Sequence, residues 1–130
     1  MNRRAFLTHT AAFGAGVTIL KSGILMAGNS PNEKLNIAAI GVGGRGAGDI
    51  DGVKGENIVA LCDVNEKNLA EAAKQFPQAK TYADWRKCLE QKDIDAVVCA
   101  TTDHTHAFVN IWAMNRGLHV YCEKPLANSV

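Results

Sequence analysis

The amino-acid sequence predicts an α/β fold built on a doubly wound parallel sheet. Four short apolar runs, at 35–40, 57–62, 94–100 and 118–122, are rich in β-branched residues and alternate with helix-like segments. Near-continuous apolar runs are typical of strands that are buried on both faces of a parallel sheet. The strand–helix alternation, without an internal repeat, favours an open sheet covered by helices.

The segments between these runs carry apolar residues at helical spacing. The four groups are Ala47, Ile50 and Val53; Leu69, Ala72, Ala73 and Phe76; Trp85, Cys88 and Leu89; and Phe108, Ile111 and Trp112. Asp84 is a predicted N-cap, and Pro77 and Gly117 are predicted to end the helices that precede them. We expect a short additional strand at 80–82.

Composition and charge indicate an ordinary globular domain. The chain has 130 residues, of which 47% are apolar and 21% charged, which is enough for one modest core. Residues 1–30 contain three basic and no acidic side chains, so residues 31–130 carry a net charge of −2. This mildly acidic body has no electrostatic footprint for nucleic acid.

The first 30 residues are predicted to be an export signal. Arg3 and Arg4 precede an apolar, small-residue stretch at 11–20, the pattern of a twin-arginine signal. We therefore expect the twin-arginine translocase as a partner and a periplasmic or exported protein. The stretch is too short for a membrane span. Residues 25–27 match a cleavage site poorly, which leaves an uncleaved membrane tether open, and an amphipathic helix with a chance arginine pair is the alternative.

A glycine-rich turn follows the first predicted strand. Residues 41–46 read Gly-Val-Gly-Gly-Arg-Gly, satisfy G-x-G-x-x-G and open a helix. Gly41 permits the tight turn, Gly43 allows close approach of a pyrophosphate, and Gly46 allows close packing of helix and strand. The main-chain amides through Gly44 and Arg45 then lie at a helix N-terminus, which favours phosphate. The turn predicts a Rossmann-type dinucleotide site.

An acidic residue ends the second predicted strand, 17 residues after Gly46. Asp63 can accept hydrogen bonds from both ribose hydroxyls of adenosine and repels a 2′-phosphate. Since no arginine stands beside it, we expect NAD and not NADP. A structural turn with a surface aspartate and a site for S-adenosylmethionine are the alternatives.

Two polar motifs follow the later strands, at the edge where doubly wound sheets bind ligands. They are Thr-Thr-Asp-His-Thr-His-Ala at 101–107 and Glu-Lys-Pro-Leu-Ala at 123–127. At that edge Lys124 can donate to a developing alkoxide while its charge offsets the cationic nicotinamide. A surface lysine in a turn is the alternative.

Histidines and cysteines of the chain do not predict a metal site. His104 and His106 fall in a strand–helix loop, with no carboxylate or cysteine at ligand spacing. The chain has no C-x-x-C motif, and we expect all of its cysteines to be buried small hydrophobes. These are Cys62, Cys88, Cys99 and Cys122. Trp85, Trp112 and His119 are likewise interpreted as packing residues.

Taken together, these motifs resemble the Gfo/Idh/MocA family, which contains glucose–fructose oxidoreductase, inositol dehydrogenase and rhizopine-catabolism proteins. The resemblance covers essentially all of residues 35–130. It is carried by the glycine turn, Cys62-Asp63, the Thr-Asp-His-x-His segment at 102–106 and Glu-Lys-Pro at 123–125. The family implies NAD(P)-linked oxidation or reduction at a hydroxyl-bearing carbon, usually of a sugar or cyclitol.

The resemblance also implies roles for single residues. Lys124 would be catalytic, reaching the nicotinamide ribose and the substrate hydroxyl, and Glu123 would hold a coenzyme ribose. Pro125 follows a cis peptide bond in many members. Thr101 lies where the strand meets the nicotinamide side, and His106 stands where the family usually has a histidine.

Thr102 departs from the family pattern, in which proline is more common, so its loop is expected to be less rigid. The expected coenzyme-binding set is Gly41, Gly43, Gly44, Arg45, Gly46, Asp63, Thr101, Thr102, His106, Glu123, Lys124 and Pro125.

The family also implies a larger protein. Its members continue with a further strand and a second α/β domain that supplies most of the substrate pocket. We therefore expect a signal at 1–30 and an incomplete Rossmann domain at 34–130 that binds the dinucleotide but is inactive alone. An oligomer is possible in the longer protein. The alternatives are an NAD-dependent glycosidase of related architecture, whose members commonly depart from Glu-Lys-Pro, and a non-catalytic dinucleotide-binding module.

Overall fold

The computed structural model describes residues 34–127. The predicted export signal at 1–30 therefore lies outside the described residues. None of the helices within 34–127 has the length and hydropathy that crossing a bilayer requires.

The described residues form a five-stranded parallel sheet with helices in the connections. The strands are β1 (Asn36–Ile40), β2 (Asn57–Cys62), β3 (Lys80–Tyr82), β4 (Ala96–Cys99) and β5 (His119–Cys122), and the helices are α1 (Arg45–Val53), α2 (Glu66–Gln75), α3 (Trp85–Cys88) and α4 (Asp103–Met114). The strand order is β3-β2-β1-β4-β5, and every neighbouring pair is parallel. The sequence-based prediction of a doubly wound α/β sheet, including the short strand at 80–82, is confirmed.

The inner strands of the sheet are buried on both faces, which explains their near-continuous apolar runs, whereas the outer strands β3 and β5 are partly exposed. Successive side chains of β1 point to opposite faces. Ala38 and Ile40 join a cluster that includes Val109 of α4, while Ile37 and Ala39 join a second cluster that includes Ile50 of α1. Because each inner strand needs apolar residues on both sides, apolar and polar residues do not alternate along it.

Side-chain hydrogen bonds cap the starts of α2 and α3. The side chain of Asn65 caps α2 by accepting a hydrogen bond from the Lys67 amide at 3.0 Å. Asp84 caps α3 in the same way, accepting from the Arg86 amide at 2.9 Å, as predicted. α1 differs, because Gly44 precedes it with φ 52° and makes no side-chain capping bond. The first amides of α1 thus lack a side-chain cap, which suits an anion.

The topology sets the position of the site. β1 and β4 are neighbours, and the chain moves outward from them in opposite directions, through β2 and β3 on one side and β5 on the other. The carboxyl ends of all five strands meet at one edge because all are parallel. In sheets of this kind, ligands bind at that edge, where the strand order reverses.

Candidate functional site

The glycine turn passes too close to its neighbours to carry side chains. Gly41 has φ 83°, and its amide donates to the Cys62 carbonyl oxygen at 2.8 Å. A Cβ on Gly41 would lie 2.5 Å from the carbonyl oxygen of Ala100, and one on Gly46 would collide with the carbonyl oxygen of Gly41. The turn therefore packs between the ends of β2 and β4, and the start of α1 packs directly against the turn.

The outer half of the turn is more open. A Cβ on Gly43 would meet the side chain of Asn68, whereas one on Gly44 would meet nothing within 4 Å. Gly44 needs glycine for a different reason, since its φ of 52° is in the left-handed region. This leaves exposed main chain at the start of α1, where the pyrophosphate was predicted to lie.

The carboxylate of Asp63 lies directly against this turn. Its Oδ2 accepts hydrogen bonds from the amides of Val42 at 3.0 Å and Gly43 at 3.2 Å, and its Oδ1 accepts from the Asn65 amide at 2.8 Å. Three main-chain donors therefore orient a half-buried carboxylate at the end of β2. The structure brings the predicted acid and the predicted turn together.

A cleft of about 400 Å³ opens beside Asp63 at the carboxyl edge of the sheet. Its lining includes five predicted residues: Gly41, Gly43, Asp63, Thr101 and Thr102. It also includes Val64, Asn68, Ala83, Trp85, His104 and Thr105, which sequence reasoning did not assign to the site. Its volume lies in the usual range for small-molecule sites.

Trp85 was interpreted from the sequence as a packing residue, and the structure adds it to the cleft wall. It is the first residue of α3, close behind the carboxyl end of β3. The predicted strand at 80–82 already contained this signal, because residues that follow any strand of a parallel sheet reach the same edge.

The two histidines of the 102–106 segment have different environments. His104 is exposed in the cleft lining, and its Nε2 lies 3.4 Å from Thr102 Oγ1. His106 is only 1% exposed, and its ring nitrogens lie 2.6 Å from the Pro125 carbonyl oxygen and 3.0 Å from that of Thr101. Within the described residues, His106 therefore contacts the loops behind the cleft and does not line it.

An ion pair joins the start of α1 to the end of β5. Arg45 donates to Glu123 Oε1 through Nε at 3.1 Å and Nη2 at 3.0 Å, and Tyr121 donates to the same oxygen at 3.3 Å. The hydrogen bond from Arg45 holds the pKa of the Glu123 carboxyl below its ordinary value. Glu123 is therefore ionised and anchored to the helix that follows the glycine turn.

Asp49 is a second acidic partner of Arg45. Its Oδ1 lies 3.2 Å from Arg45 Nε, and its side chain is 5% exposed. Burial raises the pKa of the Asp49 carboxyl above its ordinary value, against the opposing effect of Arg45. Its Oδ2 is buried and has no hydrogen-bond partner among residues 34–127.

The last predicted site residues follow β5. Lys124 and Pro125 are both exposed, and the peptide bond between them is cis, as the resemblance implies. Lys124 thus lies at the carboxyl edge with its amine accessible, next to the anchored Glu123. No contact in the described part of the chain fixes that amine, so its predicted catalytic role stays a prediction.

All four cysteines are free. Three of them are buried, as expected, whereas Cys122 on the outer strand β5 is only half-buried. Burial raises the pKa of Cys99 to about 11, and the neighbouring Cys88 raises the pKa of Cys62. The register pairs Cys99 with Cys122 across β4 and β5, and a ring nitrogen of His106 lies within 4.8 Å of both sulfurs. Sequence spacing did not reveal this group, because strand pairing creates it.

The fold and the cleft define a dinucleotide-binding Rossmann domain. Residues 35–130 match the family GFO_IDH_MocA, described as "Oxidoreductase family, NAD-binding Rossmann fold". The chain belongs to this oxidoreductase family, of which the matched residues are the NAD-binding part. The predictions of the Rossmann fold and of NAD as the coenzyme are confirmed.

Individual relatives differ in what their names state. The Glycosyl hydrolase family 109 protein 1 of Bacteroides fragilis is 38% identical over 107 residues, 73% of this chain and 23% of that protein. Myo-inositol 2-dehydrogenase from Lactobacillus plantarum is 30% identical, with a TM-score of 0.69 over 75% of this chain and 30% of that one. The WlbA dehydrogenase from Bordetella pertussis, solved with NADH and UDP-GlcNAcA, is 27% identical, with a TM-score of 0.68 and the same coverage. This chain spans less than a third of each.

We predict that Asp63→Asn weakens NADH binding about tenfold or more, because a charged acceptor for the ribose hydroxyls is lost. The preference for NADH over NADPH should narrow with it, since the repulsion of a 2′-phosphate disappears. Calorimetric titration with both coenzymes measures the two effects. Asp95→Asn is the matched control, because Asp95 accepts from the Asn36 amide at 2.8 Å at the opposite edge of the sheet. Equal losses in both variants would contradict the assignment.

A second prediction concerns Arg45 and the titration of Glu123. Arg45→Gln should raise the pKa of Glu123 toward its ordinary value. Because Arg45 lowers this pKa, its stabilising effect is complete above the pKa of unfolded Glu and disappears as pH falls through the folded value. The stability difference between variant and wild type should therefore shrink on acidification. Carboxyl-carbon NMR titration measures the pKa. Arg86→Gln, at the exposed pair with Asp84, is the control and should leave Glu123 unchanged.

Proposed function

We propose that the chain is the coenzyme-binding part of an oxidoreductase that moves a hydride between nicotinamide C4 and a hydroxyl-bearing carbon of a sugar or cyclitol. The observation that carries the proposal is the meeting, at one edge of the sheet, of the glycine turn with Asp63 and the Glu123-Lys124-Pro125 segment. The name of myo-inositol 2-dehydrogenase supports a cyclitol, and the UDP-GlcNAcA bound by WlbA supports a sugar.

The residues of this chain have separate tasks in the proposal. The main chain at Gly44 fits the pyrophosphate of a dinucleotide, because the space beside it is open and it lies at the uncapped start of α1. Asp63 accepts the hydroxyls of the adenosine ribose. When bound, the nicotinamide supplies the acceptor or donor of the hydride.

Lys124 is the proposed polar partner of the reacting hydroxyl. Its amine is exposed at the carboxyl edge, beside Glu123, which Arg45 anchors. An ammonium group at that position stabilises a developing alkoxide and can exchange a proton with it. The remaining substrate contacts are proposed to come from a second domain of a longer protein, since this chain spans less than a third of its relatives.

An NAD-dependent glycosidase is the second candidate, and a specific observation favours it. The Glycosyl hydrolase family 109 protein shares 38% identity with this chain. In such an enzyme the sugar would be oxidised transiently while NAD⁺ is reduced to NADH, the aglycone would leave by elimination, and water would add to the resulting double bond. Return of the hydride would then reduce the sugar again and restore NAD⁺ within the same turnover. The proposed NAD site is common to both candidates, so binding alone does not separate them.

Coenzyme binding should quench the fluorescence of Trp85, because Trp85 lines the cleft. We predict that NAD⁺, which does not fluoresce, quenches the wild-type chain and the Trp112→Phe variant alike. Trp85→Phe should lose most of the quenching while calorimetry still detects binding. Trp112 is a matched control, because its ring centroid lies 5.7 Å from that of Trp85 while Trp112 is absent from the described cleft lining. Absence of NAD⁺ binding to folded wild-type chain would refute the proposal.

The longer protein separates the two candidates. An oxidoreductase accumulates NADH from NAD⁺ and a sugar or cyclitol, whereas a glycosidase releases the aglycone of a glycoside without net NADH. We expect net NADH and its loss in Lys124→Met, with Lys92→Met as the surface control. Glycoside cleavage without net NADH would establish the second candidate. Absence of both activities would favour a non-catalytic module.

Export by the twin-arginine route is proposed on the strength of Arg3 and Arg4 ahead of a weakly apolar stretch. We predict that replacing both arginines by lysine retains the protein in the cytoplasm, because the translocase reads the pair. Lys21→Arg keeps the charge and lies outside the pair, so it should be exported like the wild type. Cell fractionation measures the distribution. Unchanged export of the double variant would overturn the proposal.

A further inference from the structure

His106 connects two loops of the site without entering the cleft. It lies in the first turns of α4, is 1% exposed, and has one ring nitrogen on each of two main-chain carbonyls. Nδ1 lies 2.6 Å from the oxygen of Pro125, and Nε2 lies 3.0 Å from the oxygen of Thr101. Those carbonyls belong to the segments that follow β5 and β4, respectively.

The two contacts require a side chain with one nitrogen for each carbonyl. Carbonyl oxygens only accept hydrogen bonds, and a neutral imidazole carries one N–H, so the tautomer decides which of the two carbonyls receives the donor. Among the side chains, histidine presents two nitrogens on one small rigid ring that reaches both carbonyls. Leucine at this position would offer neither, and asparagine would keep a donor near the position of Nδ1 only.

The same contacts argue against a metal ion at this cluster. The sulfurs of Cys99 and Cys122 lie within 4.8 Å of a His106 nitrogen. Both ring nitrogens, however, already lie at hydrogen-bond distance from main-chain carbonyl oxygens, 2.6 Å for Pro125 and 3.0 Å for Thr101. The ring is engaged in joining main-chain segments.

The position of the two segments gives the contact a consequence for the coenzyme. A dinucleotide lies across the carboxyl edge of a doubly wound sheet, with one nucleoside on each side of the β1 turn. Asp63, at the end of β2, marks the adenosine side. The nicotinamide half is therefore directed to the ends of β4 and β5, where Thr101 lines the cleft and Lys124 precedes Pro125.

We infer that His106 is a positioning residue for the nicotinamide half of the site: by holding the carbonyls of Thr101 and Pro125 at fixed separation, it sets the distance between the end of β4 and Lys124. The inference rests on the proposed function. The sequence-based expectation was that His106 itself binds the coenzyme. The inference gives it instead an indirect role, through the main-chain carbonyls that it contacts.

The test compares two ligands that differ in the nicotinamide half. ADP contains the adenosine and both phosphates, whereas NADH adds the nicotinamide nucleoside. With the full chain, we expect His106→Leu to weaken NADH about tenfold and ADP less than about twofold. His106→Asn should recover part of the NADH affinity, because it retains one donor.

Val109→Ala is the control for a purely structural effect. Val109 is fully buried on the same helix, so its truncation destabilises the fold and touches neither carbonyl. Its ratio of NADH to ADP affinity should equal that of the wild type. Should His106→Leu fail to fold, the ratio of NADH to ADP affinity in His106→Asn tests the inference in its place.

Equal losses of NADH and ADP in the His106 variants, or no loss in either, would overturn the inference and leave the proposed function standing. A wild-type chain that binds neither ligand would overturn both. An NADH-specific loss in the His106 variants, absent in Val109→Ala, supports the positioning role.

Discussion

Main-chain crowding at Gly41 is the constraint on which the site depends. The turn lies so close to the Ala100 carbonyl that a Cβ on Gly41 would lie 2.5 Å from its oxygen, and at Gly46 α1 approaches the turn more closely still. This crowding brings the start of α1, the end of β2 and the end of β4 together. Asp63 can then bond to the Val42 and Gly43 amides. A larger residue at either glycine would separate these elements.

Much of this arrangement could be predicted from the sequence because its determinants are local. The strands are read from uninterrupted apolar runs, and the glycine turn and Asp63 follow directly from the strands that they end. The side chains of Asp84 and Asn65 similarly accept hydrogen bonds from the amides two residues later in the chain. Such signals need no knowledge of partners elsewhere in the chain.

The remaining contacts could not be predicted because they join residues far apart in the chain. His106 bonds to Pro125 and Arg45 to Glu123, and each pair depends on which strands are neighbours. The group of Cys99, Cys122 and His106 likewise results from the register of β4 with β5. A prediction of strand order from the β-α-β pattern would have been the necessary intermediate step.

This difference divides the site into two halves held in different ways. On the proposed adenosine side, Asp63 is held by amides of its own turn and of the adjacent glycine turn, so that half depends only on the pairing of β1 with β2. On the other side, Glu123 and Pro125 are held by side chains of α1 and α4, so that half requires the sheet to be complete through β5. Disturbance of β5 should therefore affect the proposed nicotinamide half first and leave the contacts of Asp63 intact.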